Sequence, residues 1–232
     1  MRSYDKYPIN HQILVDMCLD EYSVGAAPRT NDKAKPHHPF ALHGGAWNSL
    51  PNGLPYFLAN AGNPDFIECP GANSADVNFT NGDFTLFACV NGNPAGAGLV
   101  LNQGVVDVDG WEFFTFGANL SFRLNQAGAH TDISAVGAFT QLVPQAIAVV
   151  RHGAAGQFFV NGLPVTTIGA LTDAISCAGG NKLLVGVQND EVNNGWNGII
   201  YGGECSPKAW NRALSTVEMK ELFDSIRHWL GV

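Results

Sequence analysis

The sequence has little charge. Asp, Glu, Lys and Arg make up 14% of its 232 residues, well below the roughly one quarter that is usual in soluble domains. The formal net charge is -8, from 12 Lys and Arg against 20 Asp and Glu. The neighbouring Lys33 and Lys35 are too few to attract a phosphate backbone. These counts exclude coiled coils and charged tails, and they exclude nucleic acid as a partner.

Long apolar runs are missing from the N-terminal region. Its short apolar segments are interrupted by Asp5, Lys6, Asp16 and Asp20. This pattern fits neither the apolar region of a signal peptide nor a membrane-spanning helix. We therefore expect a chain that is made in the cytoplasm and that has no membrane anchor.

Cysteine occurs in no pattern typical of a disulfide framework or a metal site. The five cysteines are odd in number and include no CxxC pair, and none clusters with His at the short spacing that zinc requires. A chain of this length folds without disulfide bonds. We expect reduced structural thiols at Cys18, Cys69, Cys89, Cys177 and Cys205.

The sequence does contain many short β-type segments between turn residues, including 27 Gly and 12 Pro. This succession is typical of an all-β sandwich, and the length suits one domain over residues 1–232. The predicted strands cover residues 13–18, 56–58, 66–69, 84–90, 98–101, 111–116, 120–124, 147–151, 157–160, 183–187 and 199–201.

Two local patterns support this interpretation. Alternate residues of 84–90 and of 120–124 fall on opposite faces of a strand, one of them apolar, so two sheets can share one core. Asn161-Gly162 separates two apolar segments and predicts a tight hairpin turn. Residues 22–45, rich in Pro, His, Gly and Lys, predict a long surface loop.

One helix is predicted, at the C-terminus. Ser215 and Glu218 have the spacing of a capping box, and Leu214 and Met219 are placed as a hydrophobic staple. Apolar residues then recur at helical spacing up to Leu230. We expect a helix within 215–230 that lies on the sandwich.

Four pairs of stretches follow one another along the chain. They are 14–21 with 41–47, 65–70 with 83–90, 148–153 with 157–162, and 184–200 with 209–215. Together they resemble the laminin G-like jelly roll of the concanavalin A-like lectin and glucanase superfamily. The resemblance covers about residues 11–230. It implies an antiparallel two-sheet jelly-roll sandwich with a C-terminal α-helix.

The resemblance nominates Asp32 as a calcium ligand. Family members that bind calcium use this early-loop Asp together with a late acidic residue, but Tyr201-Gly202-Gly203 stands at the late position. Calcium requires six or more oxygen ligands. The alternative is that Asp32 bonds to the backbone of its own loop.

The superfamily also contains glycoside hydrolases, whose chemistry needs two carboxylates across the scissile bond. No predicted strand carries Glu and Asp two residues apart. We interpret four acidic residues as solvated loop acids, namely Asp107, Asp109, Asp190 and Glu191. No G-x-S-x-G nucleophile motif is present. We expect no enzyme activity.

Residues 188–196 form the best candidate for a ligand site. Amide and carboxylate groups here accompany one aromatic ring, the composition of a polar-ligand site. The alternative is an Asn/Gly-rich turn whose Trp covers the edge of the core. The candidate ligand-binding residues are Asn189, Asp190, Asn193, Asn194 and Trp196.

The sequence therefore predicts a non-catalytic recognition or structural module. Jelly rolls are widely used in viral shells, so the favoured interpretation is a surface, decoration or tail-associated component of a phage or virus particle. Its partners would be other protein subunits, in a homo-oligomer or a particle, and a glycan. The alternative is a free-standing carbohydrate-binding lectin-like protein assisted by calcium, and the third hypothesis is a degenerate glycosidase or lyase.

Overall fold

A computed structural model describes residues 7–18, 29–35, 37–60, 65–79, 82–93, 96–171, 177–178 and 180–232. These residues form β-strands, short 3-10 turns and one α-helix, α1 (Thr216–Leu230). The strands are β1 (Ile13–Cys18), β2 (Arg29–Asp32), β3 (Phe40–His43), β4 (Ala46–Ser49), β5 (Pro55–Ala59), β6 (Phe66–Cys69), β7 (Phe84–Gly92), β8 (Ala97–Val105), β9 (Asp109–Phe116), β10 (Asn119–Gln126), β11 (Ala129–Ala135), β12 (Gln145–His152), β13 (Ala155–Val160), β14 (Leu163–Ala170), β15 (Leu183–Val185), β16 (Gly198–Tyr201) and β17 (Lys208–Trp210).

The strands form two antiparallel sheets. In the first, which we call the helix-covered sheet, β7 pairs on one side with β12, followed by β13 and β14. On its other side β7 pairs with β16, which leads to β5 and β4, and with β17, which leads to β1. The second, which we call the open sheet, has the order β2-β3-β6-β15-β8-β9-β10-β11. Pairing of Met17 in β1 with Asp32 in β2 links the two sheets.

The main core lies between the sheets and follows from period-two alternation. In β7, Leu86, Ala88 and Val90 point into this core, whereas Phe87 and Cys89 point to the opposite face. The helix-covered sheet is thus buried on both faces, which explains why its central strand is apolar almost throughout. Burial of each large apolar side chain contributes about 1.5–3 kcal/mol.

The C-terminal helix covers the outer face of the helix-covered sheet. The Glu218 backbone N–H donates to Ser215 Oγ at 3.2 Å, and the Ser215 N–H donates to Glu218 Oε2 at 2.8 Å, which completes the predicted capping box. Gly231, at φ 73°, ends the helix in the left-handed conformation. The buried face of α1 joins a second apolar cluster with sheet residues that include Phe159 and Trp210.

The predicted hairpin is confirmed. Asn161 and Gly162 have φ of 51° and 74°, as a two-residue turn with two left-handed positions requires. A Cβ on Gly162 would lie 2.7 Å from Cβ of Phe223 in α1. Glycine therefore serves both the turn and the close approach of the helix.

The antiparallel sandwich with one C-terminal helix is confirmed, but one prediction about its elements is wrong. Residues 22–45 are not one surface loop, because β2 and β3 lie within them. Residues 22–28 are outside the described part of the chain. Residues 29–32 are polar, so no apolar pattern indicated the strand that pairs with β1 and β3. Backbone pairing between strands does not require an apolar face.

The thiols of Cys69, Cys89, Cys177 and Cys205 are free in the structure. The Cys18 side chain is outside the described part of the structure. Burial raises the pKa of the Cys69 and Cys177 thiols to about 12, so these sulfurs stay protonated and unreactive. No helix in the described residues is long and apolar enough to span a bilayer.

Candidate functional site

The outward face of the open sheet carries a row of polar residues in direct register. Asn102 in β8 pairs with Glu112 in β9, Glu112 pairs with Arg123 in β10, and Arg123 pairs with Asp132 in β11. Directly paired residues of antiparallel strands have Cβ atoms about 5 Å apart on the same face. Four strands therefore bring together side chains that are far apart in sequence.

Arg123 is at the centre of this row. Its Nε and Nη2 atoms donate to Asp132 Oδ1 and Oδ2, both at 2.8 Å, and its Nη1 atom lies 3.5 Å from Glu112 Oε2. The guanidinium carbon is 5.4 Å from the centre of the Phe114 ring, which supports it from below. The Arg123 head group is thereby fixed before any ligand arrives.

Glu112 is buried, with an exposed fraction of 2%. Burial raises the pKa of its carboxyl group, and this effect outweighs a hydrogen bond from Gln188 and the charge of Arg123, which both lower it. Gln188 Nε2 donates to Glu112 Oε1 at 3.1 Å. Gln188 thus joins the 188–196 loop to the sheet face.

Contacts between a histidine and two carboxylates extend the row. His130 Nδ1 lies 2.5 Å from Asp107 Oδ1, and His130 Nε2 lies 3.8 Å from Asp132 Oδ2. The Asp107 backbone N–H donates to Asn125 Oδ1 at 3.2 Å, which fixes the turn between β8 and β9. The resulting group of side chains, which we call the Arg123 cluster, consists of Asp107, Glu112, Arg123, His130, Asp132 and Gln188.

Alternation along the strands explains why these polar residues share one face. Trp111 and Phe113 point into the core, which turns Glu112 outward, and Phe122 and Leu124 do the same for Arg123. Hydrogen-bonded strands hold the backbone in place, so the cluster is more rigid than a loop site. The cluster presents the exposed carboxylates of Asp107 and Asp132 beside one guanidinium, which suits hydrogen bonding to polar, uncharged groups.

The predicted loop lies beside this cluster. Lys182 Nζ donates to Glu68 Oε2 at 3.0 Å and to Glu191 Oε1 at 2.5 Å, which ties the loop to β6. Asn194 Nδ2 donates to Gln188 Oε1 at 2.6 Å. Asn194 therefore contacts the cluster residue that bonds to Glu112.

Asp190 organises the turn itself. Its Oδ1 accepts from the backbone N–H groups of Val192 and Asn193, at 3.0 and 2.9 Å, and its Oδ2 accepts from Asn193 Nδ2 at 2.5 Å. Partial burial acts to raise the pKa of Asp190, but these hydrogen bonds outweigh it and lower the pKa. Asp190, Asn193 and Asn194 are exposed, and Asn189 is half-buried.

Trp196 does not lie on the surface of this loop. Its side chain is fully buried in the core between the sheets, with its ring centre 6.0 Å from that of Phe139. Gly92 leaves room for it, because a Cβ there would lie 2.6 Å from the indole ring. The indole is a packing element and offers no stacking surface to a ligand.

Asp32 is also buried, and its carboxylate faces N–H donors. Oδ1 accepts from the backbone N–H groups of Asp16 and Ala34, both at 2.9 Å. Oδ2 accepts from the backbone N–H of His38 at 3.0 Å and lies 2.5 Å from His38 Nδ1. A calcium site needs converging oxygens, so this arrangement does not fit one and instead anchors the loop between β2 and β3.

His38 continues this buried network. Its Nε2 lies 2.9 Å from Asp76 Oδ1. Burial alone would lower the pKa of His38. Hydrogen bonds with Asp32 and Asp76 outweigh this effect and raise the pKa of His38 to about 9. Among the described residues no group of three or more His, Cys, Asp or Glu side chains is placed to hold a metal ion, and we assign the network a structural role.

Sequence reasoning missed the Arg123 cluster. The available signal was a single charged residue between apolar neighbours in each of two predicted strands, Glu112 and Arg123. Asp132 lies in β11, which was not predicted because its residues are mostly polar. No sequence pattern states which strands are neighbours, so the cluster could not be assembled.

Comparison with known proteins supports the fold. No protein-family model matches the chain, and no curated protein matches its sequence. The botulinum neurotoxin DC binding domain in complex with rat synaptotagmin II is similar in structure, with a TM-score of 0.68 and 10% identity over 94% of this chain and 52% of that one. A structure of botulinum neurotoxin type C, whose cell entry depends on two ganglioside molecules, gives the same values.

The binding domain of botulinum neurotoxin serotype G is a further structural neighbour, with a TM-score of 0.61 and 12% identity over 84% of this chain and 48% of that one. The chain thus spans about half the length of these binding domains. Identity this low shows a shared fold and does not transfer a ligand. The chain has the β-sandwich fold that occurs in these receptor-binding domains.

Proposed function

We propose that the chain is a non-catalytic recognition module that binds an uncharged glycan over the outward face of the open sheet. The observation that carries the proposal is the position of Arg123 between Asp132 and Glu112, on a face that no helix of the described residues covers. Sugar recognition needs a few polar groups held in fixed positions. The Arg123 cluster supplies such groups on three adjacent strands, with the 188–194 loop beside them.

The charge of the cluster favours a neutral ligand. Its accessible carboxyl groups, on Asp107 and Asp132, lie beside one Arg and one His, whereas the carboxyl group of Glu112 is buried. Carboxylates accept hydrogen bonds from sugar hydroxyls but repel the carboxylate or sulfate of an acidic sugar. We therefore expect neutral glycans to bind more tightly than sialylated or sulfated ones.

The same geometry argues against glycosidase chemistry. A glycosidase needs two carboxyl groups that flank the bond and are free to act as acid and nucleophile or base. Here Glu112 is 2% exposed, and both oxygens of Asp132 accept hydrogen bonds from Arg123, so the cluster does not present two accessible carboxyl groups across a bond. This arrangement supports a binding role.

A glycan array tests the proposal, followed by calorimetric titration of the strongest neutral glycan. Arg123→Met and Asp132→Asn should each weaken binding by at least about tenfold, the loss of one charge-assisted hydrogen bond. Asp224→Asn, which removes an exposed ion pair on α1, should bind as the wild type does. Absence of any glycan ligand, or equal loss in Asp224→Asn, would overturn the proposal.

A loop variant adds a further comparison to this experiment. Asn194→Gly removes the amide that donates to Gln188, and Gly suits the left-handed backbone at this position, where φ is 52°. If the loop contributes to the site, this variant should bind more weakly than the wild type. Unchanged binding by Asn194→Gly would restrict the site to the strands.

A second candidate function is that of a structural component in a larger particle, such as a surface, decoration or tail-associated protein of a phage or virus. The observation that favours it is a group of exposed apolar side chains at one end of the sandwich, among them Val136 and Leu142. Exposed apolar groups mark protein contact sites. Co-purification of the chain with an assembled particle would support this role, and its absence from every particle fraction would contradict it.

A further inference from the structure

The outward face of the open sheet extends from the Arg123 cluster along β9 and β10. Three successive residue pairs of these two strands share it: Glu112 with Arg123, Phe114 with Ser121, and Phe116 with Asn119. Ser121 also pairs with Ser134 in β11. Every second residue of a strand faces the same side, so these side chains continue the face of the cluster. We give the name aromatic strip to Phe114, Phe116, Asn119, Ser121 and Ser134.

Phe116 presents an aromatic ring on this strip. It is 58% exposed, whereas Phe114 is 7% exposed and lies beneath the Arg123 guanidinium. Phe116 follows Glu112 by four residues in the same strand, which corresponds to about 14 Å at the rise of an extended chain. The strip therefore offers an accessible ring at a fixed distance from the polar groups of the cluster.

The connection that follows β15 covers the neighbouring part of the sheet. Asn102 in β8 and Leu184 in β15 are paired on the outward face, yet both are fully buried. Asn102 Nδ2 donates to the backbone oxygen of Val187, and the backbone oxygen of Asn194 accepts from the Leu99 N–H at 3.0 Å. The 188–194 loop thus bounds the strip on its β8 side, and the accessible side chains of the strip lie on β9, β10 and β11.

Hydroxyl groups lie between the cluster and Phe116. Ser121 Oγ and Ser134 Oγ are hydrogen-bonded at 2.8 Å, and Ser134 is exposed. Residues 113–122 contain no Asp, Glu, Lys, Arg or His. Polar groups at one end and an apolar ring at the other match the mixed surface of a sugar chain, whose hydroxyls need hydrogen bonds and whose C–H faces pack on aromatic rings.

We propose that the aromatic strip and the Arg123 cluster together bind a neutral oligosaccharide that lies along β9 and β10, with one sugar ring packed on Phe116. The inference rests on the proposed glycan function and specifies the ligand as a chain of more than one sugar unit. About 14 Å separate Phe116 from Glu112, which is more than one sugar ring spans. Phe116 thereby supplies the aromatic surface that the sequence assigned to Trp196, which is buried in the core.

The same residues favour a glycan over a purely apolar partner. An apolar surface laid along the strip would remove Asp132 and Ser134 from water without offering them new hydrogen bonds, which is unfavourable. Sugar hydroxyls can bond to both side chains. The polar groups beside Phe116 therefore select a ligand that carries hydroxyl groups as well as an apolar face.

Calorimetric titration tests the proposal with two kinds of probe, the strongest neutral oligosaccharide of the glycan array and the single sugars that compose it. The wild type should bind the oligosaccharide at least about tenfold more tightly than any single sugar, because only the chain reaches both ends of the strip. Phe116→Ala should lose at least about tenfold in affinity for the oligosaccharide, as truncation of a central aromatic contact does. Phe116→Tyr keeps the ring and should bind as the wild type does.

Leu163→Ala is the matched control, because Leu163 is 59% exposed on β14 of the helix-covered sheet. This variant should bind as the wild type does, and thermal melts should show that Phe116→Ala is folded. Unchanged oligosaccharide affinity in Phe116→Ala, while Arg123→Met has lost binding, would overturn this inference and leave the proposed function standing. Equal affinities for the oligosaccharide and a single sugar would also overturn it, and absence of any glycan ligand would overturn both.

Discussion

Arg123 and Asp132 form a bidentate pair across β10 and β11, with both N–O distances at 2.8 Å. The Asp132 carboxylate raises the pKa of the Arg123 guanidinium further above its ordinary value, so the arginine stays charged at any pH of interest. The Asp132 side chain is 34% exposed, and pairs at such positions contribute about 0–1 kcal/mol to stability. Its greater effect is to orient the guanidinium.

The first prediction separates these two effects. Asp132→Asn should change the free energy of unfolding by less than about 1 kcal/mol, whereas its glycan affinity should fall by at least about tenfold. Chemical denaturation and calorimetric titration measure the two quantities. A large loss of stability with unchanged affinity would show that the pair is structural.

The second prediction concerns Glu112 and pH. Because the pKa of its carboxyl group is raised in the fold, the folded chain holds this proton where the unfolded chain has lost it. This contribution to stability is present at low pH and is lost as pH rises from 4.5 through the raised pKa. Glu112→Gln should abolish that decline and be at least as stable as the wild type at pH 7, as measured by urea denaturation at a series of pH values.

A Gln variant that kept the full decline in stability would contradict the assignment to Glu112. Glu221→Gln, on the exposed side of α1, is the control and should leave the pH dependence unchanged.

The third prediction concerns calcium at Asp32. Because its oxygens already accept hydrogen bonds from backbone N–H groups, added calcium should leave the thermal melt of the wild type unchanged. Asp32→Ala should destabilise the chain by roughly 3 kcal/mol or more, since several buried donors lose their acceptor. A calcium-dependent rise in melting temperature that disappears in Asp32→Ala would establish the metal site.

The fourth prediction concerns His38, which is buried between Asp32 and Asp76. Its folded pKa of about 9 lies above the ordinary 6.5. The stability it contributes is therefore complete below pH 6.5 and is lost as pH rises through 9. The loss is on the order of 3 kcal/mol, since each pKa unit corresponds to about 1.4 kcal/mol.

Denaturation of His38→Gln between pH 6 and pH 10 checks this expectation. The variant should be less stable at pH 6 and should lack the decline at alkaline pH. His152→Gln, at an exposed position, should follow the wild type, and a His38→Gln profile parallel to that of the wild type would refute the assignment.

The fifth prediction concerns Trp196. Trp196→Ala should cost about 3–5 kcal/mol in the free energy of unfolding, because it empties a large space in the core. Asn193→Ala, at an exposed position in the same loop, should cost under about 1 kcal/mol. A fully stable Trp196→Ala variant that had lost ligand binding would show instead that the indole faces the ligand.

Much of the fold could be predicted from local patterns. The alternation of 84–90, the Asn161-Gly162 turn and the Ser215 capping box each act over a few residues, so neighbouring side chains alone reveal them. Two of the strands that were missed, Arg29–Asp32 and Ala129–Ala135, are mostly polar. They are held by hydrogen bonds to partners far away in sequence, which local patterns do not show.

The candidate site also has one part that the sequence predicted and one part that it did not. The polar 188–196 loop was identified because turn residues cluster in sequence. The direction of Trp196 was not determined locally, because an indole in a turn can face either the core or the solvent. Gly92 and Phe139, which make its packing site, lie far away in sequence.

By itself the sequence determined an antiparallel sandwich with a C-terminal helix, low charge and an apolar core, because strand period, turn chemistry and helix capping are local properties. Only the tertiary structure decided that Glu112, Arg123 and Asp132 form one row and that the Trp196 side chain lies in the core between the sheets. Both depend on which strands are neighbours and in what register. Register follows from the joint burial of the apolar faces of all strands, which no single segment encodes.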